Sequence, residues 1–261
     1  KKNTGKYQDL NLEEIEFEEK KLQDIAEKIQ AGGTPKTSEK KFWAEEFSLI
    51  DNKNYFGWRD IDKTLFSEKY IYKVSKVITK EGLKESSTWI VPANSILLAI
   101  ASNSKGLLTI NKIPMCINQN ILGIVLYKDN YVEYVYYFLK YHYGKLVQKG
   151  FGNLTKSSES KVKVLIPKPI NNYTSYDIQK AIAEFIEYIS LKSESVISLI
   201  EDIIKIAEKG KENLICKLFN ELPSGSISGD VIKLFEEFKK NTGNYQDLNL
   251  EEIEFEEKKL I

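Results

Sequence analysis

From Ile178 onward the apolar residues of this chain fall into a seven-residue period. Ile182, Ile189, Val196 and Ile203 make one row, and Ile178, Phe185, Leu199 and Ile206 the second, with Lys192 as its missing member. Two such rows are the a/d seam of a coiled coil. A helix over 176–219 is about 66 Å long at 1.5 Å per residue. A stripe so narrow is not buried by its own helix, so the pattern calls for a partner helix. Gly210 and Asn213 weaken the seam near its C-terminal end.

Upstream the period is different. Short runs rich in Val, Ile, Tyr and Thr recur about every ten residues, bounded by Asn, Gly, Pro and Ser: 47–51, 69–79, 87–91, 95–101, 106–111, 120–127 and 162–167. These read as strands. Leu22, Ile25, Ala26 and Ile29 stand at helical spacing ahead of Gly32-Gly33, which predicts a helix over 22–30. Residues 131–150 read as one further helix ending at Gly150. The expected class is α+β: a globular, mostly-β domain followed by a long, coiled-coil-forming helix. The expected division is an acidic junction at 1–22, a recognition-sized domain at 23–168 and the long helix at 176–219. A linker, a short helix and a second junction then occupy 220–261.

That second junction repeats the first. Residues 1–22 recur as 239–260 with one change, Lys6 against Asn244. The chain reads as one full period of a longer, two-period pattern, cut at matching points. It begins at Lys1 rather than Met, which points to an internal or processed piece.

Net charge is zero over 261 residues, yet it is unevenly spread. Residues 23–170 carry 22 Lys/Arg against 14 Asp/Glu, and 171–261 are net acidic. A basic middle points to a polyanionic partner for that part; a solvated lysine face is the alternative. No apolar run approaches the roughly 18–20 residues that span a bilayer, so no membrane partner is expected. Cys116 and Cys216 are too few and too far apart for a disulfide framework, which points to a reducing, cytoplasmic compartment.

Catalytic chemistry has little to stand on. There is one histidine, His142, in an aromatic helix. One His makes no metal cluster, and no P-loop or dinucleotide fingerprint is present. Neither a catalytic residue, a metal site nor a bound cofactor is expected. What the sequence offers instead is polar loops. Thr34, Lys36 and Thr37 lie in one; Asn52, Lys53, Asn54, Tyr55 and Arg59 in the next. Asn103, Ser104 and Lys105 form a third, Asn118, Gln119 and Asn120 a fourth, and Asn153, Thr155, Lys156 and Ser157 a fifth. Asn and Gln can bond adenine bidentately, Lys and Arg can address guanine, and Ser, Thr and Lys can hold phosphate. Any one of these loops could equally be an ordinary turn; five on a basic domain favour nucleic acid.

The segments "KLQDIAEKIQAGGTPKTSEKKFW", "VITKEGLKESSTWIVPANSILLAIASNSKGLLTINKIPMCINQNILGI", "GNLTKSSESKVKVLIPKPI" and "DIQKAIAEFIEYISLKSESVISLIEDIIKIAEKGKENLICKLF" follow one another over about 22–219. In that order they resemble the DNA-specificity subunit of type I restriction–modification systems. The resemblance implies a non-catalytic subunit whose globular domain reads one half of a split double-stranded DNA target. Long helices would serve as the ruler between two such domains. It implies adenine-N6 methyltransferase subunits, carrying S-adenosylmethionine, and a restriction/translocase subunit as partners. A full subunit of the family has two recognition domains, and this chain has room for one. Its heptad helix is therefore expected to pair antiparallel with that of a second copy, in a homodimer. A coiled-coil adaptor without specific DNA binding and a self-contained nuclease or methyltransferase are the competing readings.

Overall fold

The computed structural model describes residues 7–197, apart from 8, 62–67, 102–103 and 149–154. Asn103, Asn153, the seam residues Leu199, Ile203 and Ile206, and everything expected over 198–261 lie outside the described residues. In chain order the strands are β1 (Phe17–Lys21), β2 (Ala26–Ala31), β3 (Trp43–Ala44), β4 (Tyr55–Arg59), β5 (Tyr70–Ile71) and β6 (Lys76–Thr79). Then come β7 (Ile90–Val91), β8 (Ser95–Ala99), β9 (Leu108–Asn111), β10 (Met115–Ile117), β11 (Ile121–Leu126) and β12 (Lys163–Pro167). The α-helices are α1 (Leu22–Ile25), α2 (Lys80–Lys84), α3 (Val132–Gln148), α4 (Lys156–Glu159) and α5 (Ser175–Ile197). The chain divides into two units, Glu19–Val164 and residues 1–18 with 165–261.

The Glu19–Val164 unit is built on two five-stranded sheets, ordered β3-β6-β4-β10-β7 and β2-β11-β8-β9-β5. Period-two alternation decides what each strand buries. Along β10, Met115 and Ile117 join Ile71, Val91, Leu97, Ala99 and Ile121 in a cluster drawn from both sheets. Cys116 between them points the other way, into a cluster with Phe56, Trp58 and Ile78, against which Leu83 of α2 packs. The first sheet is thus covered on both faces. On the second sheet, α3 lies against β8 and β9. It is tied there by Tyr70 Oη donating to Glu133 (3.2 Å) and Lys69 Nζ donating to Tyr137 (3.0 Å).

Three local expectations are corrected. The helix expected over 22–30 shrinks to the four residues of α1, and 26–31 is a strand. The reason is a β-bulge. Lys28 pairs with Val125 and Ala26 with Leu126, leaving Glu27 as an extra residue. A bulge resets the alternation, so Ala26 and Ile29, three apart, are both buried, and a spacing of three imitates a helix. Residues 47–49 form a 3-10 turn, not a strand, with Phe47 exposed. Conversely, 55–59, taken as loop, is strand β4, whose Phe56, Gly57, Trp58 and Arg59 are all buried.

In the other unit, Lys168 donates to Glu16 both through its backbone N–H (2.8 Å) and its Nζ (2.9 Å). Helix α5 opens on a reciprocal cap: Asp177 N–H donates to Thr174 Oγ1 (3.1 Å) and Thr174 N–H to Asp177 Oδ2 (3.0 Å). Ile178, Ala181, Ile182, Ala183, Phe185, Ile186 and Tyr188 are each no more than 2% exposed. At 3.6 residues per turn they cover roughly 220° of the helix. Three members of the expected seam, Ile178, Ile182 and Phe185, are thus buried as part of a wider stripe. Counting only every third and fourth residue overlooked Ala181, Ala183, Ile186 and Tyr188, which widen the stripe to a buried helix. Ile189 is half-buried.

Candidate nucleic-acid interface

The Gly32–Thr37 loop leaves β2 and threads between two other segments. Gly32 N–H donates to the Ile121 carbonyl (3.1 Å) and Gly33 N–H to the Ile117 carbonyl (2.9 Å). Trp58 Nε1 donates to the Gly33 carbonyl (2.9 Å) and Thr88 Oγ1 to the Ile117 carbonyl (2.8 Å). A Cβ on Gly32 would stand 2.6 Å from the Asn118 carbonyl and closer still to that of Ile117; one on Gly33 would stand 2.7 Å from Thr88 N. Only glycine permits this approach of backbone to backbone.

The approach brings the Asn118–Asn120 loop beside the Thr34–Thr37 loop. Thr34 Oγ1 donates to Gln119 Oε1 (2.6 Å). Asn118 is buried: its side chain donates to Asp60 Oδ1 and accepts from Asn120 N–H (2.9 Å), while its own N–H donates to the Arg59 carbonyl (3.0 Å). The Asn120 carbonyl accepts from Ile100 N–H (2.9 Å), which ties in the loop holding Ser104 and Lys105. Gln119, Lys36 and Thr37 are exposed; Thr34, Asn120 and Lys105 are half-buried. Ser104 and Arg59 are buried, and Arg59 donates to the Lys73 carbonyl (3.5 Å), so neither stands with the exposed groups.

Two of the five expected loops lie elsewhere in the unit. The Asn52–Asn54 turn precedes β4, at the far end of that strand from Arg59. Asp51 organises it, accepting from the backbone N–H groups of Lys53 (2.8 Å), Asn54 (2.8 Å) and Tyr55 (3.0 Å). Those donors, Tyr55 first, hold the Asp51 carboxyl well below the usual carboxylate range. Asn52 sits at φ 54°, a left-handed turn position that Asn tolerates. Asn52, Lys53 and Asn54 are exposed and Tyr55 half-buried.

Thr155, Lys156 and Ser157 are exposed on and before α4. Thr155 and Ser158 form a capping box there. The segment lies near the start of β2, because Gln23 N–H donates to the Ser160 carbonyl (3.0 Å). The Gly32 loop leaves the other end of that strand. Below α4, Glu159 is buried and accepts from Tyr143 Oη and from Ser158 Oγ (2.8 Å). Burial pushes its carboxyl pKa up to about 7.

Sequence reasoning overlooked one neighbour of the Thr34–Thr37 loop. Thr37, Trp43, Phe47 and Lys76 line an open hollow of about 360 Å³. Lys76 Nζ stands 5.1 Å from the Trp43 ring centre, and Trp43 meets Trp58 edge-on. The signal was there in the mixed basic and aromatic run "KKFWAEEF". Elsewhere burial pushes the Cys116 thiol up to about 12 and the His142 imidazole downward. Among the described residues no group of three His, Cys, Asp or Glu could hold a metal ion, and no helix is long and apolar enough to cross a membrane.

A basic, loop-rich domain of two sheets leading into a buried helix is the frame these loops define. Residues 14–205 match the family model of the type I restriction modification DNA specificity domain, and the chain belongs to that family. It is 26% identical over 219 residues to the type I restriction enzyme EcoR124I/EcoR124II specificity subunit of Escherichia coli, covering 81% of this chain and 51% of that one. The chain thus spans about half the length of the curated relative it matches. A chain solved in work on complex assembly and conformational transition of the type I R-M system shares the fold at a TM-score of 0.54. Their sequences are 13% identical, and the match covers 78% of this chain and 45% of the other. The HsdS subunit from Thermoanaerobacter tengcongensis is similar at 12% identity and a TM-score of 0.44, covering 89% and 45%; this weaker likeness carries no argument.

Proposed function

We propose that the chain reads one half of a split double-stranded DNA target as a non-catalytic specificity subunit. In this reading it directs adenine-N6 methyltransferase subunits, which carry the S-adenosylmethionine, and a restriction/translocase subunit to that sequence inside the cell. The observation that carries the proposal is the meeting of the Thr34–Thr37 and Asn118–Asn120 loops, joined by the 2.6 Å Thr34–Gln119 bond. Amide and hydroxyl groups there are paired with each other in a way that a base edge could replace, with Lys36 beside them for phosphate. Gln119, Thr34 and Thr37 are the proposed base-reading groups. Lys36, Lys53, Lys105 and Lys156 are the proposed phosphate contacts, with Asn52, Asn54 and Ser157 beside them.

Equilibrium binding to duplexes over a range of salt tests this. Affinity should fall with salt at a log–log slope of about −0.9 per neutralised phosphate. Lys36→Ala or Lys156→Ala should weaken binding to all sequences and reduce that slope by about 1. Gln119→Ala should relax the preference at one base pair, by about 1–3 kcal/mol. Binding that ignores salt, or is untouched by all three substitutions, would sink the assignment. Methylation sequencing of cells carrying the whole system, with and without this chain, would read the target.

The chain also pairs with a second copy, in this proposal, through antiparallel helices whose contact begins at Ile189. The seam residues past the self-buried turn support this: Ile189, Val196, Leu199, Ile203 and Ile206. Two-fold closure is the commonest way to cover such a surface. Light scattering giving a clean monomer at micromolar concentration would overturn it.

A further inference from the structure

Strands β4 and β10 run parallel, with Arg59 opposite Ile117. The residues that follow, Asp60 and Asn118, therefore leave the sheet side by side. The Asn118 amide has its orientation fixed: its oxygen accepts from Asn120 N–H (2.9 Å), so its nitrogen donates to Asp60 Oδ1. Asp60 Oδ1 also accepts from Ile61 N–H (2.7 Å), and Asp60 N–H donates to Ser75 Oγ (3.0 Å). Asn118 is buried, and the next residue, Gln119, is held by Thr34. Asp60 itself is exposed. Among the described residues no cation pairs with it and nothing donates to its Oδ2. The result is a carboxylate held by three hydrogen bonds, beside the proposed reading loops, with one oxygen open.

A carboxylate only accepts hydrogen bonds. At a duplex it is repelled by phosphate, so its place is against a donor on a base edge. In the major groove guanine shows two acceptors, and thymine an acceptor and a methyl group. Adenine shows an amino donor beside the N7 acceptor. Cytosine alone shows an amino donor with no acceptor next to it. We infer that Asp60 reads a cytosine of the target, its Oδ2 accepting from the N4 amino group in the major groove. The inference rests on the DNA reading proposed above and names one of its specificity-determining residues. Asn118 and Ser75 fix the carboxylate before DNA arrives, so little rotamer freedom is lost when the bond forms. The carboxylate also works against the wrong base, since guanine or thymine at that position sets acceptor against acceptor.

Methylation sequencing gives the target, and duplexes of that sequence then serve as probes for the full chain assembled with its methyltransferase subunits. Each cytosine is replaced in turn by 2-pyrimidinone, which lacks the 4-amino group. At one position this should weaken binding roughly tenfold or more. Asp60→Asn keeps an oxygen for Asn118 and turns an NH2 group outward. It should be indifferent to 2-pyrimidinone at that position and should shift the preference there from cytosine toward a base that offers an acceptor. No sensitive cytosine, or one that matters as much to Asp60→Asn as to the unaltered chain, overturns the inference. So does an equal loss of affinity for every duplex with the preference unchanged, which is what a merely structural Asp60 would give. Should Asp60→Asn fold poorly by circular dichroism, Asp60→Ser is read in the same way, as loss of the cytosine preference. The two failures are separable. Weaker binding by Lys36→Ala with no sensitive cytosine sinks the role of Asp60 alone, whereas binding that ignores both salt and Lys36→Ala sinks the DNA reading with it.

Discussion

Gly32 and Glu159 show how single residues set the loops that surround them. Gly32 lets the Thr34 loop lie against the Ile117 and Asn118 carbonyls, so Gly32→Ala forces backbone apart. The expected cost is about 3 kcal/mol, at the upper end of overpacking, read as a drop in the urea midpoint at unchanged slope. Thr34–Gln119 contact, and base preference with it, should be lost at the same time. Glu159 is a buried carboxyl whose pKa is raised to about 7 by burial. A raised acid favours the folded state fully only below its unfolded pKa, ~4.3. That contribution is lost as pH climbs toward 7, and it stays lost above. Glu159→Gln keeps a partner for Tyr143 and Ser158 without the charge. It should therefore flatten the fall in stability between about pH 5 and 7 and raise the melting temperature at pH 8 by roughly 2–4 °C. A wild-type pH profile in the variant would remove Glu159 from this role.

At the scale of elements, short sequence signals decided more than propensity did. Helix α5 starts where Thr174 and Asp177 cap each other, directly after the run "PKPINN". Thr174→Ala should cost about 1 kcal/mol, and Thr174→Ser far less, by chemical denaturation. Strand β2 shows the opposite case. Its apolar spacing spelled a helix, and pairing with β11 through a bulge at Glu27 made it a strand. Strand β4 was hidden by polar neighbours: "DNKNYFGWRD" looks like a loop until Phe56 and Trp58 are seen packed on Ile78 and Cys116. The loops themselves were legible from their Asn, Gln, Thr and Lys content. Their grouping was not, because which loops meet depends on strand order, and β4, β10 and β6 are adjacent only in the sheet.

For the molecule as a whole, α5 is buried over Ile178–Tyr188, and the pairing proposed above would begin at Ile189. Ile182→Asp places a charge at a site 1% exposed, and should unfold the unit around it or cost at least 3 kcal/mol. Ile189→Asp with Val196→Asp should instead halve the mass in light scattering and leave the circular dichroism of the fold unchanged. Equal effects of both would erase the distinction. By itself the sequence determined the mixed class, the positions of seven of the twelve strands and of helices α3 and α5, the basic middle and the family, because periodicity, turn residues and motif order are local properties written along the chain. Only the tertiary structure decided that Arg59 and Asn118 are interior, that Thr34 meets Gln119 across 85 positions, and that the first turns of the seam are already buried. Those outcomes depend on which distant surfaces meet and exclude water, and no local pattern records that.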